Sequence, residues 1–246
     1  MDRMLYIGMT GAKESLLSQG LNNHNLANAS TTGFKADLEQ FRSMPVFGPG
    51  HPSRAYSMAE RPGINYRGGA MDSTGRDLDV AIKGSGWIAI QGKDGAEAYT
   101  RAGNLHVSPN GQLLTGTGLP VMGNAGPIAI PPAQTLYIGT DGAITVRPLA
   151  QGPVALVAID RIKLVNPDTD TIEKSADGLF RSIDGQVLVA DANVNLVSGY
   201  LERSNVNVVE SMVKMITLSR NFEMQVKAMK TAEETDEATQ SLLRMS

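Results

Sequence analysis

Apolar positions recur at helical spacing at both ends of the chain and at strand spacing between them. Over residues 1–29, Leu5, Met9, Ala12, Leu16, Gln19, Asn23 and Leu26 follow one another at steps of four and three, the period of a helix seam. The seam starts apolar and turns polar at Gln19 and Asn23. Ser30, Thr31, Thr32 and Gly33 then end the helix. At the other end, Asn207 followed by Glu210 resembles a capping box. It opens a helix over 204–245 whose stripe is Val208, Met212, Met215, Phe222, Val226 and Met229, with Ser219 interrupting. Glu210 with Lys214 and Glu223 with Lys227 are i,i+4 pairs in the favourable order.

Between the helices the period changes. Residues 36–76 carry Pro45, Pro49, Pro52 and Pro62 among several glycines, without sustained alternation; this predicts an extended connector with one short hairpin around Ile64–Tyr66. Residues 77–200 read as β. The pairs Asp94-Gly95, Asn110-Gly111, Asp141-Gly142 and Asp184-Gly185 suit two-residue type I′ turns, and runs such as LDVAI (78–82), WIAI (87–90), LHVS (105–108) and QVLVA (186–190) suit strands. A leucine stands six positions before three of these glycines, a faint internal repeat that predicts one hairpin type reused. The expected domains are a helix over 1–35, a connector over 36–76, a β domain over 77–200 and a helix over 201–246.

Each terminal helix has an apolar stripe, and neither is stable by propensity alone. The stripes need a partner: each other, the β domain or a neighbouring molecule. Phe222, seven residues from both Met215 and Met229, is expected mid-seam. It could pack within one subunit or between subunits, and the second is favoured if the helices line an assembly.

Composition narrows the function. The 246 residues are 41% hydrophobic and 19% charged with a net charge of −3, as in a folded domain without the basic surface that nucleic acid requires. With no cysteine, disulfides, thiolate catalysis and cysteine-bound metals are excluded. No apolar run reaches the roughly 18 residues of a membrane span. The opening MDRMLYIGMT lacks the basic, apolar and small-residue segments of a secretory signal, so export, if it occurs, is expected by another route.

Candidate chemistry is sparse. His24, His51 and His106 have no partner at metal-ligand spacing. No G-x-S-x-G elbow occurs. Gly84-Ser85-Gly86 with Ala89 imitates a dinucleotide fingerprint, but strand-like WIAI follows where a helix is required. Asn28-Ala29-Ser30 matches a glycosylation sequon, a short pattern with little specificity. The acidic run Glu233, Glu234, Asp236 and Glu237 reads as a solvated helix face. No catalytic residue, cofactor site or metal site is predicted.

The stretch SQGLNNHNLANASTTGFK (18–35) carries the most specific signal. Asn25, Leu26, Ala27, Asn28, Thr31, Gly33, Phe34 and Lys35 stand where flagellar basal-body rod and hook proteins carry N-L-A-N-x-x-T-x-G-F-K, and the chain resembles that family. Residues 78–123 are similar to its central β domain, and GYLERSNVNVVESMVKMI (199–216) to the start of its C-terminal helix. The opening MDRMLYIGMTGAK and the compact length are most like the proximal rod type; the distal rod type or another rod or hook relative is the near alternative, and a secreted β-domain binding module the remote one.

The resemblance implies an α+β fold: a mostly antiparallel β domain flanked by N- and C-terminal amphipathic helices that pack together in an assembled tube. It implies a structural subunit, not an enzyme, in a rod crossing the periplasm and transmitting torque. The partners expected are other copies of the chain, neighbouring rod proteins and the flagellar export apparatus, with no nucleic acid, membrane span or cofactor. Leu5, Met9, Ala12, Leu16 and Leu26, with Val208, Met212, Met215, Phe222, Val226 and Met229, are the expected packing residues.

Overall fold

The computed structural model describes residues 2–45, 55–148 and 156–244. The chain forms a helix α1 (Asp2–Ala27), then β1 (Asp37–Pro45), β2 (Ala55–Ile64), β3 (Met71–Ser73), β4 (Val80–Lys83), β5 (Trp87–Gln91), β6 (Glu97–Thr100), β7 (Leu105–Val107) and β8 (Leu113–Thr115). There follow β9 (Ala133–Ile138), β10 (Ala143–Pro148), β11 (Val157–Arg161), β12 (Leu164–Val165), β13 (Ile172–Lys174), β14 (Phe180–Ser182), β15 (Asn195–Ser198), β16 (Tyr200–Glu202) and a long helix α2 (Val208–Arg244). Every strand pairing is antiparallel, so the fold is α+β as expected.

The described residues form two compact units that do not follow chain order: the two helices with β1 and β2, and residues 30–35 with 66–205. In the helical unit, β1 and β2 make a long hairpin with a bulge between Glu39 and Phe41. The expected connector is therefore paired β over much of its length, and Ile64 ends the second strand instead of sitting at a turn. Residues 46–54, between the two strands, lie outside the described residues. Periodicity could not reveal this hairpin because nearly every side chain of β1 is exposed, and a strand with no buried face shows no alternation.

The β unit is built around a five-stranded sheet in the order β12-β5-β6-β14-β13, a three-stranded sheet β11-β10-β9, and two-stranded pairs β4/β15, β3/β16 and β7/β8. Its core is aliphatic: Val80, Ile82, Ile88, Leu113, Ile144 and Leu196 are fully or almost fully buried. One hairpin type recurs, with a difference from expectation. At the β5/β6 loop the Gly95 N–H donates to Gly92 O, and the Gly92 N–H to Ala96 O. The same two bonds recur at Ser108/Gln112 and Gly139/Ala143. This is a three-residue loop with glycine in the left-handed region, not a two-residue type I′ turn. The aspartate precedes the glycine because its carboxylate accepts the N–H two positions on, Asp94 from Ala96 and Asp141 from Ala143.

Asp177-Gly178, overlooked in the sequence, closes β13/β14 in the same way. Asp184-Gly185, by contrast, leads into QVLVA, which forms no strand. There Val187 and Val189 are exposed, and the Leu188 N–H donates to the Tyr99 hydroxyl at 2.9 Å instead of to a strand.

Candidate assembly surface

The α1 packing seam is displaced by one position from its apolar stripe, while the α2 seam shares Met215, Phe222 and Met229 with its stripe and leaves Val208, Met212 and Val226 outside. On α1 the face turned inward is Gly8, Gly11, Ser15, Ser18, Asn22 and Asn25, at alternating steps of three and four. It lies one position before the apolar series Met9, Ala12, Leu16, Gln19, Asn23 and Leu26. The small residues admit α2 closely: a Cβ on Gly8 would stand 2.7 Å from Met229 Cγ, and one on Gly11 would stand 3.0 Å from the Gln225 amide carbon. The asparagines are polar because they bond backbone. Asn22 Nδ2 donates to Ser211 O at 2.8 Å; Asn25 Nδ2 donates to Asp37 O and its Oδ1 accepts the Asp37 N–H. With Ser18 Oγ donating to Glu39 and His24 Nδ1 lying 3.0 Å from Asp37 Oδ2, these bonds hold β1 to α1.

On α2, Ser211, Met215, Leu218, Phe222, Gln225, Met229, Ala232, Asp236 and Thr239 form the less exposed heptad. Asn207 caps the helix, its Oδ1 accepting the N–H groups of Val209 and Glu210.

The expected packing residues divide accordingly. Ala12 is buried, Leu5 and Leu26 are half-buried on α1, and Met215, Phe222 and Met229 are half-buried on the α2 seam. Met9 (56% exposed), Leu16 (51%) and Met212 (51%) face outward, as do Val208 and Val226. Tyr6, Leu17, Val209, Val213 and Ile216 are exposed as well. Met9, Leu16 and Met212 are thus about half exposed within the subunit, and covering the remainder of each would gain roughly 1 kcal/mol, about half the value for a fully exposed side chain.

The signature residues have structural work in both units. Ala27 is exposed, Asn28 Nδ2 bonds His24 O, and Thr31 O accepts the Phe34 N–H. Gly33, at φ 69°, donates its N–H to Glu202 O at 2.7 Å. A side chain there would strike the Arg101 backbone, so the position demands glycine twice over. Phe34 is buried under Lys174, whose Nζ lies 4.0 Å from the ring centre.

Lys35 is the deepest polar member of the signature at 1% exposure. Its Nζ donates to Glu202 Oε1 at 2.6 Å and to Arg67 O at 2.9 Å. Arg101 donates to the other Glu202 oxygen at 3.0 Å, and the Gly69 N–H to Oε1. Burial pushes Lys35 below its ordinary value, and the nearby Arg101 adds to this against the pull of Glu202. Burial pushes Glu202 up, but the Lys35 bond, the Gly69 N–H and the Arg101 charge outweigh it and hold the carboxyl below its usual range. The two shifts agree, because two cations share one carboxylate. The segments 18–35 and 199–216 therefore meet once in each unit, at Asn22/Ser211 and at Lys35/Glu202.

Comparison with known proteins covers the second of these segments and part of the β unit. Residues 197–242 match the family described as "Flagellar basal body rod FlgEFG protein C-terminal", and residues 81–146 match "Flagellar hook protein FlgE/F/G D1 domain". The chain is 41% identical to the flagellar basal-body rod protein FlgF of Salmonella typhimurium and 40% identical to that of Escherichia coli, each over the full length of both proteins. The chain belongs to the flagellar basal-body rod proteins, on their FlgF branch. The flagellar basal-body rod protein FlgG of Bacillus subtilis is 31% identical over 94% of this chain and 96% of its own. The first rod-family match runs from β15 through nearly all of α2, and the second from β4 to β10.

Sequence reasoning missed the residues that close the structure: Gly8, Gly11, Ser18 and Asn22 on α1, and Arg101 and Glu202 in the β unit. A small-residue heptad one position from the apolar one was the available signal for the first group. Nothing local marks the second. Among the described residues no group of His, Asp or Glu could hold a metal ion, and no helix is long and apolar enough to cross a membrane.

Proposed function

We propose that the chain is a structural subunit of the proximal rod that polymerises through the outward apolar faces of its terminal helices. The observation that carries this reading is the displacement of the α1 seam. Small and polar residues of α1 meet α2 inside the subunit, which leaves Met9, Leu16, Val208, Met212 and Val226 for neighbouring subunits. Contiguous exposed apolar surface of this kind marks an interface, and a head-to-tail contact that does not close generates a filament.

On this reading the protein acts by assembly and mechanical coupling in the rod crossing the periplasm, turns over no substrate, and has copies of itself and other rod proteins as neighbours. It reaches the growing rod through the flagellar export apparatus. Ala12, Met215, Phe222 and Met229 contribute by holding the two helices in register.

The test is a strain carrying Met9→Ser, Leu16→Ser and Met212→Ser. Secretion and the unfolding midpoint of the purified monomer should be unchanged while swimming is lost. Normal swimming would contradict the assignment of these faces.

A further inference from the structure

The ion cluster at Glu202 is unbalanced. Lys35, Arg101 (6% exposed) and Glu202 (1%) lie inside the β unit, two cations against one carboxylate. Lys174 Nζ donates to Lys35 O at 2.9 Å beside them. A buried charge without a counter-charge is strongly destabilising. Of the guanidinium nitrogens of Arg101, Nη1 bonds Glu202, Nη2 bonds Gly84 O at 2.8 Å, and Nε has no hydrogen-bond partner.

Arg101 and Glu202 form part of the wall of a cleft of about 360 Å³. The rest of the wall includes the loop Gly84-Ser85-Gly86, Tyr66 and Trp87. The dinucleotide look-alike of the sequence is therefore a turn between β4 and β5, with Gly84 at φ 90° and Gly86 at φ 129°, whose Gly84 carbonyl anchors the arginine. Arg101 Cζ stands 5.2 Å from the centre of the Trp87 ring, and Tyr66 meets that ring edge-on. Asp170 acts on this wall as well, its charge bearing on the Tyr66 hydroxyl.

We propose that this cleft is a carboxylate-binding site, in which an incoming carboxylate engages the Arg101 guanidinium and offsets the surplus positive charge behind it. The aromatic walls exclude water and strengthen the pairing, and a planar guanidinium suits a planar carboxylate. The inference does not rest on polymerisation.

Trp87 is the only tryptophan, so its fluorescence reports on the cleft in the full-length protein. Sodium acetate should change Trp87 emission along a saturable curve that sodium chloride at equal ionic strength does not reproduce. Arg101→Lys keeps the charge but loses the fork, and should weaken the acetate effect about tenfold, roughly 1.4 kcal/mol. If that variant does not fold, the Arg101 Nε–H nuclear magnetic resonance signal of the unmodified protein should move with acetate and stay still with chloride. Acetyl-Gly-Glu-Gly-amide binding more tightly than acetate would assign the site to a polypeptide side chain, and equal binding to a free carboxylate; either supports the proposal. Indistinguishable acetate and chloride titrations, with an unmoved Arg101 signal, would overturn it and leave the cluster a structural one.

Discussion

Lys35 Nζ and Glu202 Oε1 stand 2.6 Å apart, across 167 positions of sequence. The contact joins the segment after the first helix to the strand before the second. In this way the residues that follow the first helix and those that precede the second become one structural element inside the β unit. The pair is also asymmetric, because Arg101 keeps Glu202 when Lys35 is lost, but both cations lose their carboxylate when Glu202 is lost.

That asymmetry predicts an order of stabilities. Glu202→Gln leaves two buried cations without a carboxylate and should cost about 3–5 kcal/mol. Lys35→Met leaves Arg101 and Glu202 as a balanced pair and should cost distinctly less. Urea unfolding of the full chain, followed by Trp87 fluorescence, measures both. Equal losses would mean that the charges are screened and do not act as a cluster.

Acid should act on the same point. The folded Glu202 carboxyl lies below its ordinary value of 4.5, so its contribution is complete above that value and is lost as pH falls through the folded value. Stability to urea should therefore drop as pH falls below the ordinary value of 4.5, and the drop should be shallower in Glu202→Gln. An identical pH dependence in the two proteins would remove Glu202 from the explanation.

The contrast between these charges and the hairpins shows what a sequence displays. Asp94-Gly95 and Asp141-Gly142 were legible as turns because the carboxylate bonds an N–H two positions away, so the signal is local. The loop type was missed, since a three-residue loop and a two-residue turn use the same pair. The helices were legible from their period, but their packing faces were not. A hydrophobic stripe marks the side that avoids water, and on α1 the closest approach is made by Gly8 and Gly11, which carry no hydrophobic signal. The β1/β2 hairpin shows no alternation, and the partnership of Arg101 with Glu202 is decided by folding over 101 positions.

Tyr99 offers an independent probe of the β core. Burial, aided by Glu97 and opposed by the Leu188 N–H, raises its phenol to about 12. The stability it represents is intact below the ordinary value of 10.0 and is lost as pH rises from there towards the folded value. In an alkaline titration of phenolate absorbance, one of the six tyrosines should ionise late, together with unfolding. Tyr99→Phe should abolish that late step and cost about 1 kcal/mol by depriving the Leu188 N–H of its acceptor. Simultaneous ionisation of all tyrosines near 10 would contradict the burial.

The central claim is that the subunit meets its neighbours through the apolar residues that its own helix pairing leaves outside. Electron cryo-microscopy of purified basal bodies, with this chain located in the density, tests it most directly. The account predicts Met9, Leu16 and Met212 packed against adjacent rod subunits, with Gly8 and Gly11 still facing Met229 and Gln225 of the same chain. Met9, Leu16 and Met212 facing solvent in the assembled rod would contradict it.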